Sequence, residues 1–521
     1  MSSRVFSAAV VGLDAQIIEI EADVSFGLRC FNIVGLPDKA VEESKERVGA
    51  AIGSSGFRAP YSQPQRVLVN LAPADLKKEG SLYDLPIALG YLLASGQSRF
   101  VPQARICAGE LSLDGKLKPI KGVLSFALLA KEASFKEIIL PKENSREAAL
   151  ALAGQKENAL KIIGVDSLKQ AINYLEGRIK IAPFSGDEVV FKNDSSCRFD
   201  LSWVKGQESS KRALEVAAAG GHNLLMQGPP GAGKSLLARS LPSILPDLSF
   251  EESLEVTKIY SVAGLLPKDK PLISARPFRS PHHTTSEAAL IGGGNPPRPG
   301  EITLSHRGVL FLDEFPEFHR DVLESLRQPL EDGQISIFRV RERLTLPARF
   351  TLVAAANPCP CGYYRDPIRP CTCSSSQIAK YRRKLSGPLI DRMDLFIDVP
   401  HLKFEKLAAP EDEESLKIIK ERVARARRVQ GQRFSAGASG ALKEKILVNS
   451  EMQSPEVKKF CQIDSKSKEI LKKFVDSGKL SARGYHRVLK VARTIADLEE
   501  SENINYNHLT EALMYRIRED T

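Results

Sequence analysis

The segment at 228–235, GPPGAGKS, has the glycine spacing and the Lys-Ser pair of a phosphate-binding loop. It follows the apolar run NLLMQ and precedes SLLARS, which places it between a strand and a helix. Glycines allow backbone N–H groups to face phosphate oxygens, and a helix N-terminus favours anions. We therefore expect Lys234 to contact the β- and γ-phosphates of ATP, and the Ser235 hydroxyl to coordinate Mg²⁺. The predicted nucleotide-binding residues are Gly228, Pro229, Pro230, Gly231, Ala232, Gly233, Lys234, Ser235 and Asp313.

Two adjacent acids, Asp313 and Glu314, end the apolar segment GVLFLDEF. An apolar run ending in two carboxylates makes a poor buried strand unless the acids emerge at a site. We predict that Asp313 helps to hold the magnesium ion, and that Glu314 orients and deprotonates the attacking water. The alternative is a pair of solvated carboxylates at the end of a strand.

A third apolar segment, RFTLVAAANP, ends at Asn357. An Asn before a Pro is common in turns. The order of the three strand-end motifs nevertheless resembles that of the AAA+ ATPases, in which a polar residue at this place, sensor 1, positions the water. The resemblance therefore favours a catalytic role for Asn357.

Two arginines complete the predicted catalytic set. Arg392, in LSGPLIDRMDLFIDV, is suited to an arginine finger that reaches the γ-phosphate in a neighbouring subunit. Arg483, in SARGYHRVLKVAR, is suited to the sensor 2 position, with Arg487 as the second candidate. The alternative for each is an ordinary surface charge. A finger that acts in trans implies a ring, for which we expect a homo-hexamer.

Four of the eight cysteines lie within the segment CPCGYYRDPIRPCTC, directly after Asn357. Four thiolates suit tetrahedral zinc, which would stabilise a loop too small to have a core of its own. The alternative is a set of free thiols in a Gly/Pro-rich loop. Tyr363, Tyr364, Arg365 and Arg369 in this loop suit either contacts to single-stranded DNA or structural packing. The predicted zinc ligands are Cys359, Cys361, Cys371 and Cys373.

The elements that must position these residues indicate a multidomain α/β protein. The length of 521 residues predicts about three domains. Residues 1–175 alternate strands and helices and are expected to form an α+β domain, and 176–202 lack a helical period and read as a linker. Strands alternate with helices over 203–400, which is typical of a parallel sheet. Residues 401–521 are charged and helical, as expected for a lid.

Composition excludes few functions. The chain is 42% hydrophobic and 26% charged, as in ordinary globular proteins, and has a net charge of +10. This excess favours polyanionic partners, but by itself it is a weak indication of nucleic acid. The N-terminus is interrupted by Asp14, Glu19 and Glu21, which argues against a signal peptide. We expect a cytoplasmic protein without a membrane partner, since no apolar run is long enough to span a bilayer.

Four longer strings resemble the ComM/YifB family of magnesium-chelatase-like AAA+ ATPases. They are RPFRSPHHTTSEAALIGGG, PRPGEITLSHRGVLFLDEFPEF, AAANPCPCGYY and LIDRMD. This resemblance implies membership of the helix-2-insert branch, beside the MCM helicases and the ATPase subunit of magnesium chelatase. It further implies a hexameric ATPase that promotes branch migration during recombination and natural transformation. The implied partners are single-stranded or branched DNA and recombination proteins.

The same branch implies two insertions in the ATPase core. Residues 273–305, with glycines at 292–294 and the basic Arg276, Arg279 and Arg298, match the helix-2 insert. Residues 334–353 contain two strand-like runs joined near 340–342, as expected for a pre-sensor-1 hairpin. By analogy, arginines near its tip would face a central pore and contact phosphates without reading bases. These predicted DNA contacts are Arg339, Arg341 and Arg343.

The N-terminal segment resembles the Lon-protease-type domain, on the strings FNIVGLPDKAVEESKERV and NLAPADLKKEGSLYDLPIALG. Alignment places Leu82 where Lon has its nucleophilic serine, one residue from Ser81. It places Phe126 at the position of the catalytic lysine, with Lys121 in the preceding turn. The Ser-Lys dyad is therefore missing, and we do not expect proteolysis. A scaffolding and a DNA-guiding role both remain open.

Three other functions compete with that of a DNA-translocating ATPase. A chelatase motor that inserts magnesium into a porphyrin is the main alternative, but the Lon-like segment and the cysteine cluster depart from that subunit. An ATP-dependent protease is disfavoured by Leu82 and Phe126. A scaffold without activity conflicts with the full set of residues expected for ATP hydrolysis.

Overall fold

The computed structural model describes residues 2–153, 160–184, 199–267, 270–294, 297–338, 343–384, 387–402, 413–435 and 446–516. The chain divides into two compact units. The first comprises Met1–Lys192, Phe250–Ile273 and Gly294–Pro299, and the second comprises Asn193–Ser249, Ser274–Gly293 and Gly300–Thr521.

Strands and helices alternate in the first part of the chain. In order they are β1 (Ser2–Val11), β2 (Asp14–Phe26), β3 (Cys30–Val34), α1 (Lys39–Glu42), α2 (Ser44–Ser54), β4 (Gln65–Ala72), α3 (Asp84–Ala94), β5 (Arg105–Cys107), β6 (Glu110–Leu111), β7 (Leu117–Lys118), α4 (Val123–Glu132), β8 (Glu137–Pro141), α5 (Ser145–Ala149), β9 (Lys161–Val165) and α6 (Leu168–Leu175).

The remaining elements begin with the ATPase segment and end in helices. They are α7 (Glu208–Gly220), β10 (Leu224–Gln227), α8 (Lys234–Ser240), α9 (Phe250–Ala263), β11 (Phe278–Arg279), α10 (Glu287–Ile291), β12 (Gly292–Gly293), β13 (Arg298–Pro299), α11 (Glu301–Leu304), β14 (Val309–Leu312), α12 (Arg320–Ser325), α13 (Arg327–Asp332), β15 (Gln334–Phe338), β16 (Arg343–Pro347), β17 (Thr351–Ala356), α14 (Ser375–Lys384), α15 (Gly387–Ile390), β18 (Leu395–Asp398), α16 (Glu413–Ser435), α17 (Ser454–Phe460), α18 (Ser465–Asp476), α19 (Ala482–Leu498) and α20 (Tyr506–Met514).

The first unit is built on a seven-stranded mixed sheet in the order β3-β4-β2-β1-β5-β8-β9. β2 pairs antiparallel with both β1 and β4. The other neighbouring strands pair parallel, namely β3 with β4, β1 with β5, β5 with β8 and β8 with β9. The helix α3 packs on β1 and β2. It is buried at nearly every position because its sequence, DLPIALGYLLA, is apolar all round.

The helix α9 belongs to this first unit, although it follows the phosphate-binding loop in the chain. It packs against α4, and its Ser261 donates a hydrogen bond to the buried carboxylate of Glu147. Lys258 of the same helix pairs with Asp14 at 2.5 Å. The predicted core range of 203–400 therefore does not coincide with one compact unit, since residues 250–273 lie in the other.

The second unit contains a five-stranded parallel sheet in the order β11-β14-β17-β10-β18. Leu224 of β10 lies opposite Val353 of β17 and Leu395 of β18. Because the strands are parallel, their carboxyl ends meet at one edge of the sheet, where loops commonly carry ligand-binding groups. β15 and β16 form an antiparallel hairpin, with Gln334 opposite Pro347. The predicted fold class, an α/β core followed by helices, is confirmed.

Helices near the C-terminus pack on α7, which precedes the sheet. α16 and α19 both contact α7. Arg422 of α16 pairs with the buried Glu215 of α7 at 2.6 Å. Gln430 donates to the carbonyl of Ala219 at 3.1 Å, which satisfies an acceptor near the end of α7.

Some local predictions differ from the structure. The helix α5 ends at Ala149 and is followed by a 3₁₀ turn at Leu150–Leu152, in which all three side chains are buried. Part of the predicted linker 176–202 belongs to the first unit, since Phe184 pairs with Ile162 and packs in its core. Residues 185–198 of that range lie outside the described residues.

Candidate active site and cysteine cluster

The loop at 228–233 joins β10 to α8 and requires glycine at specific points. A Cβ at Gly228 would lie 2.2 Å from the carbonyl oxygen of Val399, so only glycine fits beside β18. Gly231 and Gly233 have φ values of 78° and 90°, in the left-handed region that favours glycine. The helix α8 then begins at Lys234. The loop conformation therefore places the N-terminus of α8 at the carboxyl ends of the parallel strands.

Lys234 is buried at this edge, and its ammonium group has three oxygen acceptors. Nζ donates to the carbonyls of Gly228 at 2.6 Å and Pro229 at 2.9 Å, and to Oδ1 of Asn357 at 3.1 Å. Burial lowers the pKa of Lys234, and the nearby Asp313 opposes that shift. The predicted P-loop lysine and sensor 1 are therefore in direct contact.

Ser235 and Asp313 form a pair of hard oxygen donors beside that lysine. The Ser235 hydroxyl donates to Oδ2 of Asp313 at 2.7 Å, while Oδ1 accepts the backbone N–H of Glu314 at 3.0 Å. A hydroxyl and a carboxylate at a phosphate-binding loop are the donors that Mg²⁺ uses together with nucleotide phosphates. The two predicted magnesium ligands thus fit the ion.

Glu314 contacts a histidine that sequence reasoning did not select. His283 Nδ1 lies 3.3 Å from Oε2 of Glu314. The His283 ring packs against His282, with centroids 4.1 Å apart, and edge-on to Phe318 at 6.5 Å. His283 belongs to the string SPHHTT between β11 and α10, which was part of the family resemblance but was given no role.

Arg392 and Arg483 are both paired with Glu331 on α13. Arg392 is only 6% exposed, and its Nη2 lies 2.5 Å from Oε1 of Glu331. Nη1 of Arg483 lies 3.5 Å from the same oxygen, but the Arg483 side chain is 61% exposed. The structure therefore brings these two predicted arginines together within one chain, and the trans role of Arg392 stays a prediction.

Arg487, the second candidate for sensor 2, is occupied by a buried acid. It forms an ion pair with Asp394, which also accepts the backbone N–H of Asn223 at 2.9 Å. Burial would raise the pKa of Asp394, but Arg487 and the adjacent His222 hold it well below its usual range. This network favours a structural role for Arg487 and leaves Arg483 as the accessible candidate.

The four clustered cysteines converge on one point. Their sulfur atoms all lie within 4.8 Å of one another, with Cys359 and Cys361 3.3 Å apart and Cys361 and Cys371 3.5 Å apart. Tetrahedral zinc with Zn–S bonds of about 2.3 Å would place the sulfurs about 3.8 Å apart. The cluster, completed by Cys373, therefore fits a metal ion.

The cysteine loop also touches the phosphate-binding loop. A Cβ at Gly362 would lie 2.6 Å from Cδ of Pro230, so the Gly362 backbone packs directly on the Pro230 ring. Gly362 has a φ of 87°, which few other residues adopt without strain. The candidate metal centre and the candidate ATP site are thus neighbours.

The predicted DNA contacts are described only in part. Arg339 and Arg341 lie outside the described residues, and Arg343 is the first residue of β16. In the insert, Arg279 binds Glu301 through two hydrogen bonds of 2.6 and 2.7 Å. Arg276 donates to the carbonyls of Pro246 and Arg307 at 2.6 and 2.7 Å. Arg276 and Arg279 therefore make structural contacts within the chain.

The Lon-like positions in the first unit carry no described Ser-Lys pair. The Ser81 hydroxyl donates to Glu110. Phe126, at the position aligned with the lysine, is fully buried in the apolar core. Among the described residues no helix is both long and apolar enough to cross a bilayer.

Three family descriptions match consecutive parts of the chain. Residues 20–144 match "Subunit ChlI of Mg-chelatase", 200–407 match "Magnesium chelatase, subunit ChlI", and 413–516 match "Magnesium chelatase, subunit ChlI C-terminal". The matches thus reach into both compact units.

Several relatives align over almost the full length. The chain is 41% identical to the competence protein ComM of Haemophilus influenzae, covering 98% of this chain and 97% of that protein. It is also 41% identical to the uncharacterized protein YifB of Escherichia coli, covering 99% and 97%. The magnesium-chelatase 38 kDa subunit of Rhodobacter capsulatus is 26% identical over 178 residues, 31% of this chain and 50% of that subunit.

Proposed function

Because the chain belongs to the ComM/YifB family of magnesium-chelatase-like AAA+ ATPases, we propose that it hydrolyses ATP to move along single-stranded or branched DNA. The proposal is supported above all by the contact of Lys234 with Asn357, beside the Ser235–Asp313 pair. The full-length likeness to a competence protein supports DNA as the load. The activity that we assign is branch migration in recombination and natural transformation.

We assign a residue to each step of hydrolysis. The backbone N–H groups of 228–235 and Lys234 bind the phosphates, and Asn357 orients the water near the γ-phosphate. Glu314 accepts the proton from that water as it attacks. Bound Mg²⁺, held through Ser235 and Asp313, would neutralise charge on the phosphate oxygens.

Two arginines are assigned to the transition state. Arg483, whose side chain is exposed, is assigned to a phosphate of the same chain. Arg392 would serve a neighbouring subunit in a homo-hexamer, which requires it to exchange Glu331 for a phosphate. An arginine that meets the developing charge is worth several orders of magnitude in rate.

The β15–β16 hairpin is the proposed DNA-contacting element. Arg339, Arg341 and Arg343 lie at or beside its tip in sequence. Arginines that contact phosphates grip a strand without reading its bases, as branch migration through any sequence requires. Recombination proteins are the partners that we propose for loading.

We assign zinc to the cysteine cluster. A four-thiolate site with sulfurs within 4.8 Å suits a closed, structural metal centre. The ion would be held by Cys359, Cys361, Cys371 and Cys373, and would stabilise the loop that lies against Pro230.

A chelatase motor is the second candidate. The three family matches carry the name of a magnesium-chelatase subunit. Against it, the 38 kDa subunit of Rhodobacter capsulatus aligns with only 31% of this chain.

The two candidates are separated by what stimulates ATP hydrolysis. ATPase rates of the full chain should be compared with single-stranded DNA, a four-way junction or a porphyrin with Mg²⁺ added, with Lys234→Ala as the inactive control. We expect stimulation by both DNAs and none by the porphyrin. If DNA neither binds nor stimulates, the translocase proposal fails, and porphyrin stimulation would establish the chelatase alternative.

A further inference from the structure

Half of the net charge of the chain is concentrated in 26 residues. Of its net charge of +10, the segment 359–384 carries +5, from six basic residues and Asp366. Zinc bound by four thiolates would add a charge of about −2 and leave about +3. The basic residues are Arg365, Arg369, Lys380, Arg382, Arg383 and Lys384.

The cysteine loop and α14 form one surface, which we call the basic platform, made of these six residues with Tyr363 and Tyr364. The guanidinium of Arg382 on α14 lies 5.0 Å from the Tyr364 ring of the loop, and that of Arg365 lies 5.5 Å from the same ring. Arg369 lies 5.4 Å from the Tyr363 ring and donates to its hydroxyl at 3.0 Å. Cation–π contacts thus hold the arginines in place on the loop.

The single acid of this segment does not neutralise the surface. Asp366 accepts backbone N–H groups of Ile368 and Arg369, both at 2.8 Å, and lies 3.3 Å from His401. Oδ1 is thus used within the loop, and Oδ2 faces His401 outside it. Lys380 and Arg383 are exposed on α14.

We propose that the basic platform binds the phosphate backbone of single-stranded DNA, as a contact separate from the β15–β16 hairpin. Clustered cations with arginine and tyrosine planes suit a flexible polyanion, because phosphates pair with the cations and unstacked bases lie on planar groups. The inference rests on the proposed function and names a second place on the molecule that holds the strand.

The platform is joined to the catalytic residues through α14. This helix packs against the 3₁₀ turn Phe315–Glu317, which directly follows Glu314. Lys384 Nζ donates to Oε2 of Glu317 at 2.9 Å. The platform therefore contacts the turn that follows the predicted catalytic base.

The charge contribution is tested with the double variant Lys380→Ala/Arg383→Ala. Neither residue belongs to the ATP site, and both are exposed on a helix. The matched control is Lys468→Ala/Lys472→Ala, which removes the same charge from the exposed side of α18. The affinity of the full-length proteins for fluorescent oligo(dT) is measured over a range of salt concentrations, with a duplex of equal length as the second probe.

Loss of two phosphate contacts should lower the slope of log Kd against log salt by about 1.4 for the single strand. It should also weaken binding about tenfold near physiological salt, while the control matches the wild type. If the wild type binds and the platform variant has the same slope as the wild type and the control, the platform proposal fails and the proposed function is unaffected. If the wild type does not bind, the proposed function fails with it. A smaller assembly in sedimentation with an unchanged slope would identify the platform as an interface between copies.

Discussion

Glu314, the predicted catalytic base, has a φ of 50°, in the left-handed region. This conformation costs a non-glycine residue of order 1 kcal/mol and is found where neighbouring groups enforce it. Here Asp313 accepts its backbone N–H, and His283 approaches its carboxylate. The carboxylate is 57% exposed, so His283 is the contact that restrains where it points.

We therefore expect His283→Ala to lower kcat for ATP hydrolysis about tenfold, equivalent to about 1.4 kcal/mol, and to leave KM unchanged. The reason is that a mobile carboxylate is less often aligned with the water. Steady-state kinetics at saturating Mg²⁺ provide the measurement.

His319→Ala is the matched control. His319 is an exposed histidine directly before α12 whose side chain makes no capping hydrogen bond, so this change should leave kcat within about twofold. Partial rescue by His283→Gln, which retains a donor, is also expected. Equal losses in both alanine variants would refute the positioning role.

At the scale of elements, α19 carries two arginines with different environments. Arg483, near its start, is 61% exposed, whereas Arg487 is 20% exposed and paired with the buried Asp394. Sequence position alone left both as candidates for sensor 2. The burial of Asp394 separates them, because an acid inside the protein needs its cation.

Arg487→Ala should lower the free energy of unfolding by about 3 kcal/mol, since it leaves a buried carboxylate without its cation. Arg483→Ala should change that free energy by less than about 0.5 kcal/mol and still reduce kcat. Denaturant titrations and ATPase assays on both variants test this separation. A stability loss in Arg483→Ala larger than in Arg487→Ala would contradict it.

The cysteine loop makes a prediction about metal content. Cys371→Ser/Cys373→Ser should reduce zinc from about one ion per chain to nearly none and lower the Tm, because metal binding is coupled to loop folding. Mass spectrometry of the purified protein measures the zinc. The control is Cys30→Ser, which changes a cysteine outside the cluster. Full zinc content in the double variant would rule out the four-thiolate site.

The sequence predicted those parts of the site that local spacing determines. The loop at 228–235 and Asn357 follow strands in chain order, so a parallel sheet brings them to one edge. Other contacts join residues far apart in sequence, such as His283 with Glu314 and Arg392 with Glu331. Such pairs are formed by tertiary packing, and no periodic pattern in the sequence predicts which distant residues will meet.

At the scale of the molecule, the first compact unit is completed by a helix from the middle of the chain. α9 carries two buried serines, Ser261 and Ser253. Ser261 donates to Glu147, which also accepts the backbone N–H of Leu124 at 3.0 Å. Within the described part of the chain, the Ser253 hydroxyl has no hydrogen-bond partner. The sequence offered no reason to assign this helix to the N-terminal unit.

Ser261→Ala should therefore destabilise the first unit by about 2 kcal/mol, because Glu147 loses a donor inside the protein. Ser253→Ala removes a buried hydroxyl without a described partner, and its effect should stay within about 0.5 kcal/mol. Hydrogen exchange of amides in β1 and α4 reports this unit specifically. Equal protection in the two variants would contradict the account of α9.

ATP-driven movement along DNA is tested most directly by branch migration. A three-stranded junction is incubated with ATP and the wild type, Lys234→Ala or Glu314→Gln, and strand exchange is followed over time. We predict exchange by the wild type alone, since one variant loses phosphate binding and the other loses the catalytic base. Equal exchange by all three proteins, or none by a wild type that hydrolyses ATP and binds the junction, would contradict the account.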